Sequence, residues 1–148
     1  MSDASTVRVL VVDDDELMRA GLRTVLSSDQ TIALAGEASS GRGAVSAVRA
    51  YGPDLVLMDV RMPDLDGIAA TRRIRAAEAA AGGPRTPIIA LTANVMAHQV
   101  QDYVEAGMDA HVSKPIQAEA LFRAIAEAVA EPAEADDGVG TTATLAAR

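Results

Sequence analysis

Short apolar segments alternate five times with longer stretches of helical periodicity along this chain. The apolar segments predict strands at Val7–Val12, Ile32–Glu37, Leu55–Met58, Ile88–Leu91 and Ala110–Val112. The longer stretches predict helices at about Glu16–Ser27, Gly43–Ala50, Ile68–Ala80, Ala97–Ala106 and Ala118–Ala130. The first and last of these carry their apolar residues on one face, with the period of 3.6 that is typical of a helix packed on a core.

Several predicted strands are apolar at consecutive positions and do not alternate with polar residues, as in VLVV, LVLM and IIAL. This pattern is typical of a parallel sheet that is covered by helices on both faces. Strands and helices that alternate in this way predict an α/β fold, in which a doubly wound parallel sheet of five strands has right-handed connections.

The periodic pattern ends after Val129. Residues 131–148 contain Pro and Gly, four acidic residues and one Arg, without apolar periodicity. A segment of this kind buries too little apolar surface to order itself. We therefore expect a flexible N-terminus over residues 1–6, one domain over residues 7–130 and a disordered acidic tail over residues 131–148.

Composition excludes several classes of function. The chain has no Cys, so disulfides, thiol catalysis and Cys-ligated zinc are ruled out. Its net charge of −8 disfavours binding of nucleic acid through a basic surface. No apolar run approaches the roughly 20 residues of a membrane span, and the first residues lack the layout of a signal peptide. We expect a cytoplasmic protein without direct nucleic-acid or membrane contacts.

Polar residues that carry chemistry follow four of the five predicted strands. They are Asp13, Asp14 and Asp15 after the first strand, Asp59 after the third, Thr92 after the fourth and Lys114 after the fifth. Ligands of an open parallel sheet bind at the carboxyl ends of its strands, so we expect these side chains to gather in one shallow pocket. Helix capping is the alternative explanation for an Asp or Thr at any single position.

Such a group of side chains is typical of phosphoryl transfer. Carboxylates at close range repel one another, and a hard cation such as Mg²⁺, or Mn²⁺ in its place, relieves that repulsion. Lys114, the only lysine of the chain, adds a positive charge, and Thr92 adds a hydroxyl donor. In such a site an Asp can act as the nucleophile and become an acyl phosphate.

Four segments, VRVLVVDDD, LVLMDVRMPDLDG, IIALTAN and HVSKPI, resemble in order and spacing the signatures of the response-regulator receiver domain of two-component signalling. The resemblance covers about residues 7–130 and implies a flavodoxin-like receiver fold with strand order 2-1-3-4-5. The part through about Ile74 resembles receivers of LuxR-type regulators, and the part from about Pro84 resembles receivers of hybrid histidine kinases. A natural mosaic and an engineered fusion both explain this difference.

The resemblance implies a phospho-acceptor and a metal site. Asp59 would accept the phosphoryl group. Asp13 and Asp14 would hold Mg²⁺ together with Asp59, and the backbone carbonyl of Arg61 would be a further ligand of the metal.

The resemblance also implies a phosphorylation switch. Thr92 would contact the phosphoryl group and move when it arrives, while Lys114 would pair with a phosphoryl oxygen. Receivers usually have Tyr or Phe two residues before their Ser-Lys-Pro run, where this chain has His111. His111 either acts as the switch residue in a different way or is a surface histidine. We expect the Lys114–Pro115 peptide bond to be cis, because few residues remain for the turn before the last helix.

The expected phosphodonor is a phosphohistidine on a sensor histidine kinase or on a histidine phosphotransfer protein. By resemblance, Met18 on the first helix would dock this partner, with packing in the core as the alternative. The sequence shows no helix-turn-helix and no enzymatic output, so we expect a stand-alone receiver that binds a downstream protein or passes the phosphoryl group onward. It would be a monomer or a phosphorylation-dependent dimer.

Two other functions use similar residues. A metal-dependent phosphatase of the haloacid-dehalogenase type also combines a nucleophilic Asp with Mg²⁺, Thr and Lys, but its nucleophile would follow the first strand and it would need a cap domain. A degenerate receiver would only bind its partners. The complete set of Asp13, Asp14, Asp59, Thr92 and Lys114 disfavours this second alternative.

Overall fold

The computed structural model of the protein describes residues 6–93 and 97–130, without the side chains of residues 97 and 98. Strands and helices alternate within these ranges. They are β1 (Val7–Val12), α1 (Glu16–Ser27), β2 (Ile32–Ala38), α2 (Gly41–Tyr51), β3 (Leu55–Asp59), α3 (Gly67–Ala81), β4 (Ile88–Thr92), α4 (Ala97–Ala106), β5 (Ala110–Ser113) and α5 (Ala118–Val129). The predicted flexible N-terminus, apart from Thr6, and the predicted acidic tail lie outside the described residues.

The strands form one parallel sheet in the order β2-β1-β3-β4-β5. This result confirms the predicted doubly wound fold and its strand order. Val12 is paired with Met58 across β1 and β3, and Asp59 is paired with Leu91 across β3 and β4. The carboxyl ends of these three central strands therefore lie side by side.

Buried side chains form two clusters, one on each face of the sheet. Leu10, Val56 and Met58 pack on one face beneath residues of α2, α3 and α4. On the other face, Val11 and Leu57 pack beneath residues of α1 and α5. Consecutive residues of β1 and β3 thus point into different clusters, which explains why these strands are apolar throughout.

The observed elements differ from the predicted ones by at most two residues at either end, and β1, α1 and α4 match at both ends. Strands β3 and β4 end at Asp59 and Thr92, so these polar residues belong to the strands instead of following them. Helix α2 begins at Gly41 and not at Gly43, because the Ser40 hydroxyl accepts a hydrogen bond from the Gly43 amide and caps the helix. Helix α5 ends at Val129, since Ala130 already has an extended backbone.

At the amino-terminal end of β4, one arginine links three segments of the chain. The Arg75 guanidinium of α3 donates hydrogen bonds to the carbonyls of Thr86 and Gly107, and to the carboxylate of Asp109. The same carboxylate accepts the backbone amide of Ile88, the first residue of β4. The group therefore links the middle of α3 and the segment before β5 to the start of β4.

Among the described residues, none of the helices combines the length and the apolar character that crossing a membrane requires.

Candidate functional site

Three carboxylates meet at the carboxyl ends of β1 and β3. Asp13 and Asp14 directly follow β1, and Asp59 is the last residue of the neighbouring strand β3. One oxygen atom from each of the three side chains lies within 4.8 Å of the others. Asp13 and Asp59 are buried, with exposures of 0% and 5%, whereas Asp14 is exposed. The structure thus brings together the three predicted metal-ligating carboxylates.

Lys114 reaches the carboxylates from the loop after β5. Its Nζ atom lies 3.2 Å from Oδ1 of Asp59 and 3.6 Å from Oδ2 of Asp13. The backbone amide of Lys114 donates a hydrogen bond of 2.7 Å to the carbonyl of Thr92, which holds the loop against the end of β4. The Lys114–Pro115 peptide bond is cis. One ammonium group therefore neutralises part of the negative charge of two carboxylates.

Burial and charge change the acidity of these groups. Burial, together with the negative charge of Asp13, raises the pKa of Asp59 from 3.8 to about 6, although Lys114 opposes the change. Burial acts to lower the pKa of Lys114, but the carboxylates of Asp59 and Asp13 outweigh it and raise that pKa. Lys114 is consequently a persistent positive charge at the site.

The donor set fits a hard divalent cation. Oδ2 of Asp13 is buried, has no hydrogen-bond partner among the described residues and lies 3.6 Å from Nζ of Lys114, while Oδ1 accepts the backbone amide of Asp15 at 2.9 Å. A buried carboxylate oxygen without a hydrogen bond is costly, and one ammonium that is shared with Asp59 compensates for it only in part. Carboxylate oxygens at the open edge of a sheet are ligands typical of Mg²⁺, which retains several of its waters. The residues present therefore fit the predicted metal.

The carboxylate of Asp15 is a helix cap, unlike the carboxylates of Asp13 and Asp14. Its carboxylate accepts the backbone amides of Leu17 and Met18 and caps the first turn of α1. Capping, the alternative explanation considered for these aspartates, is thus correct for Asp15. A similar cap is present at α3, where the carboxylate of Asp66 accepts the backbone amide of Ala69.

The loop from β3 to α3 borders the site. Arg61 is exposed and lines an open depression of about 460 Å³ together with Val60, Met62, Pro63 and Asp66. The role of the Arg61 carbonyl as a metal ligand stays a prediction. Asp13, Asp14 and Asp59 do not line this depression.

The two predicted switch residues lie on neighbouring strands. Thr92 is buried at the end of β4, and His111 is half-buried on β5, where it is paired with Ala90. Nδ1 of His111 is buried and has no hydrogen-bond partner among the described residues, and burial lowers the pKa of the imidazole. The lowered pKa favours the neutral form of the His111 imidazole. Its role as a switch stays a prediction.

The exposed apolar residue at the start of α1 is Leu17, not the predicted Met18. Met18 is half-buried and packs against the core beneath α1 and α5, whereas the exposure of Leu17 is 81%. The sequence holds a signal for this difference, because Leu17 falls outside the apolar stripe of Met18, Leu22 and Val25. Core packing, the alternative for Met18, is the one that the structure favours.

The chain matches the family model of the response regulator receiver domain over residues 9–126. Among curated proteins, the response regulator protein VraR of Staphylococcus aureus is 33% identical over 132 residues, which are 86% of this chain and 61% of the relative. The chain thus spans about 61% of the length of the curated relatives it matches.

Solved structures agree with this match. A LuxR-family two-component response regulator from an Aurantimonas species has a TM-score of 0.74 at 31% identity, over 82% of this chain and 83% of that one. The response regulator domain of Thermotoga maritima CheB has a TM-score of 0.76 at 27% identity, over 86% of this chain and 99% of that one. The family model, the relatives and the fold agree, and the chain belongs to the response regulator receiver domains, which are signalling domains of two-component systems.

Proposed function

We propose that the chain accepts a phosphoryl group on Asp59 from a phosphohistidine of a sensor histidine kinase or a histidine phosphotransfer protein. One observation carries the proposal. Asp59 lies at the end of the central strand β3, beside the buried carboxylate of Asp13 and 3.2 Å from the ammonium of Lys114. A nucleophile, a cation-binding pair and a fixed positive charge are thereby combined at one open edge.

In the transfer step, a carboxylate oxygen of Asp59 attacks phosphorus, an acyl phosphate forms, and the bond between phosphorus and the imidazole nitrogen breaks. The leaving imidazole takes a proton from solvent. Lys114 keeps Asp59 ionised and then pairs with a phosphoryl oxygen, while the Thr92 hydroxyl donates to another. Asp13, Asp14 and Asp59, with the Arg61 carbonyl, would hold Mg²⁺, which when bound would supply positive charge to the phosphoryl group.

The phosphorylated form ends when water attacks phosphorus and releases the Asp59 carboxylate. Before that, movement of Thr92 and His111 alters the surface around α4 and α5, through which the chain signals to a downstream protein. Its oligomeric state is either a monomer or a dimer that depends on phosphorylation.

The phosphatase alternative fits the geometry less well. Its nucleophile would follow the first strand, but the carboxylate next to the lysine belongs to Asp59 of β3, the third strand along the chain. The degenerate-receiver alternative also lacks support, because Asp13, Asp14, Asp59 and Lys114 are all present and close together.

Intact-mass spectrometry with acetyl phosphate tests the proposal. With Mg²⁺ present, we expect the wild-type chain to gain one phosphoryl group, and we expect none in excess EDTA. Asp59→Asn removes the nucleophile and is expected to abolish the adduct. Asp102→Asn removes one exposed carboxylate from α4 and is the matched control, with an unchanged yield. An adduct of full yield on Asp59→Asn would show that another residue is the acceptor.

A further inference from the structure

Positive charge is concentrated on α2 and α3, although the chain carries a net charge of −8. Helix α2 has two arginines and no acidic residue, and α3 has three arginines and one acidic residue, Glu78. By contrast, α4 contains Asp102 and Glu105 without Lys or Arg. The charge of this domain is therefore segregated between neighbouring helices.

We term four of these arginines, on the adjacent helices α2 and α3, the arginine face: Arg42, Arg49, Arg72 and Arg73. All four side chains are exposed, and their two helices pack against each other on the same face of the sheet. Arg42 and Arg49 are separated by two turns of α2, about 10 Å along its axis. The fifth arginine of these helices, Arg75, points inward to Asp109 and does not contribute.

The arginine face is poorly neutralised by the protein itself. Arg42 has one long contact of 4.0 Å with Asp64, in which both side chains are largely exposed. Within residues 6–93 and 97–130, Arg49, Arg72 and Arg73 make neither an ion pair nor a side-chain hydrogen bond. The arginines of α1 differ, since Arg19 and Arg23 both pair with Glu37. Negative charge on the arginine face is thus left for a partner to supply.

Other exposed residues of the same two helices are small. They include Ser46 and Ala50 on α2, and Ala76 and Ala80 on α3. Small side chains let the backbone of a partner approach closely while the long guanidinium groups reach around it. Arginine forms two parallel hydrogen bonds with a carboxylate, so the face is suited to Asp and Glu side chains.

We propose that the arginine face docks an acidic segment of a partner protein. A short segment places its carboxylates on the four arginines and touches little else. An extended polyanion, such as nucleic acid or an anionic membrane, continues beyond the face and meets the acidic residues of α4, which packs beside α3. The net charge of −8 therefore favours the short acidic partner. This surface is separate from α1, so its partner and a phosphodonor can bind together.

Titration of the ¹⁵N-labelled full chain with a hexaglutamate peptide at low salt tests the proposal. We expect amide shifts concentrated on α2 and α3, with binding weakened about tenfold in the triple variant Arg49→Gln/Arg72→Gln/Arg73→Gln, since each exposed pair contributes little alone. Arg123→Gln, which removes one exposed arginine from α5, is the matched control for the single variant Arg72→Gln. If the triple variant fails to fold, the comparison of these two single variants decides the question.

Four results would overturn the proposal. The first is equal weakening by Arg72→Gln and Arg123→Gln, and the second is shifts spread over α1 and α5; both would mean general charge attraction. The third is tighter binding of a short DNA duplex or of phosphatidylserine vesicles than of hexaglutamate, which would make the ligand a polyanion. The fourth is an arginine-dependent dimer of the chain alone in sedimentation, which would make a second copy the occupant.

Discussion

A Cβ atom on Gly67 would lie 2.2 Å from the carbonyl oxygen of Asp59. The first residue of α3 therefore touches the backbone of the proposed phospho-acceptor, and the amide of Gly67 also donates a hydrogen bond of 2.9 Å to the carbonyl of Val60. Because the contact involves backbone atoms of a buried strand, neither partner can move without shifting the other. The start of α3 thus sets the position of Asp59.

We expect Gly67→Ala to lower the free energy of unfolding by about 1–3 kcal/mol, because the added methyl group overpacks this contact. It is also expected to slow formation of the phosphoryl adduct, since the Asp59 backbone must shift. Urea unfolding and the rate of the mass increase with acetyl phosphate measure the two effects. Gly21→Ala is the control. A Cβ atom on Gly21 would meet no atom of the described residues within 4 Å outside the backbone of α1, so the substitution is expected to raise the free energy of unfolding by about 0.5–1 kcal/mol. Wild-type stability in Gly67→Ala would contradict the close approach.

The raised pKa of Asp59 predicts a pH dependence of the metal-free protein. Since this pKa is about 6 in the folded state and 3.8 ordinarily, the folded chain holds the proton more tightly between these pH values. The contribution of Asp59 to the free energy of unfolding is therefore fully present below pH 3.8. It decreases as the pH rises to about 6 and is lost above that pH. Asp59→Asn cannot ionise and is expected to remove this slope.

Thermal melts in EDTA from about pH 4 to 7 measure the effect, as the difference between the wild type and Asp59→Asn across that range. Asp102→Asn, which changes an exposed carboxylate, should retain the wild-type slope. Parallel curves for the wild type and Asp59→Asn would mean that Asp59 is not a carboxyl group destabilised by burial.

Removal of one carboxylate of the cluster is expected to separate metal binding from folding. Among the described residues, the buried carboxylate of Asp13 accepts a hydrogen bond at one of its two oxygen atoms. Asp13→Asn removes this charge, so Mg²⁺ binding weakens while the stability without metal stays the same or rises. Melting temperatures with and without Mg²⁺ measure both effects. An increase of the melting temperature by Mg²⁺ as large as in the wild type would exclude Asp13 as a ligand.

The strands and the proposed site were predictable because both follow from short-range patterns. Consecutive apolar residues mark the buried strands, and the parallel sheet then brings Asp13, Asp59 and Lys114 to one edge. The strand order came from the resemblance, since apolar runs alone do not tell which strands are neighbours. Asp15 is a cap because its carboxylate accepts the first amides of α1, which depends on the backbone path and not on residue type.

The contacts of Arg75 were beyond sequence reasoning for a different reason. Its partners are two carbonyl groups and a carboxylate in segments up to 34 residues away, and a carbonyl group carries no sequence signal. Nothing in the sequence distinguishes Arg75 from the neighbouring exposed residue Arg73. Only the position of Arg75 next to the segments that precede β4 and β5 separates a structural arginine from an exposed one.

Substitutions of the two arginines are therefore expected to differ in their effect on the free energy of unfolding. We expect Arg75→Gln to lower the free energy of unfolding by about 3 kcal/mol, because the largely buried carboxylate of Asp109 loses a charged partner. Arg75→Lys should recover only part of this loss, since an ammonium cannot reproduce the fork of the guanidinium. Arg73→Gln is the exposed control and should stay within about 0.5 kcal/mol of the wild type. Urea unfolding compares all three, and similar values for Arg73→Gln and Arg75→Gln would contradict the structural role.

The difference in exposure between Leu17 and Met18 predicts that the phosphodonor docks on the first turn of α1. Leu17 is exposed in the first turn of α1, whereas Met18 packs against the core. We expect Leu17→Lys to keep wild-type stability within about 0.5 kcal/mol and to slow phosphotransfer from a histidine kinase that phosphorylates the wild type. Acetyl phosphate needs no docking surface, so its reaction with Leu17→Lys should be unchanged.

Met18→Lys is the matched variant, because it places the same charge one residue further along the same helix. It is expected to lower the free energy of unfolding, since the lysine stem replaces an apolar side chain that packs on the core. Radiolabel transfer from the kinase and thermal melts, taken together, separate docking from folding. If Leu17→Lys accepts the label from the kinase as fast as the wild type, the exposed apolar side chain at the start of α1 does not dock the donor, and the approach to Asp59 lies along another helix.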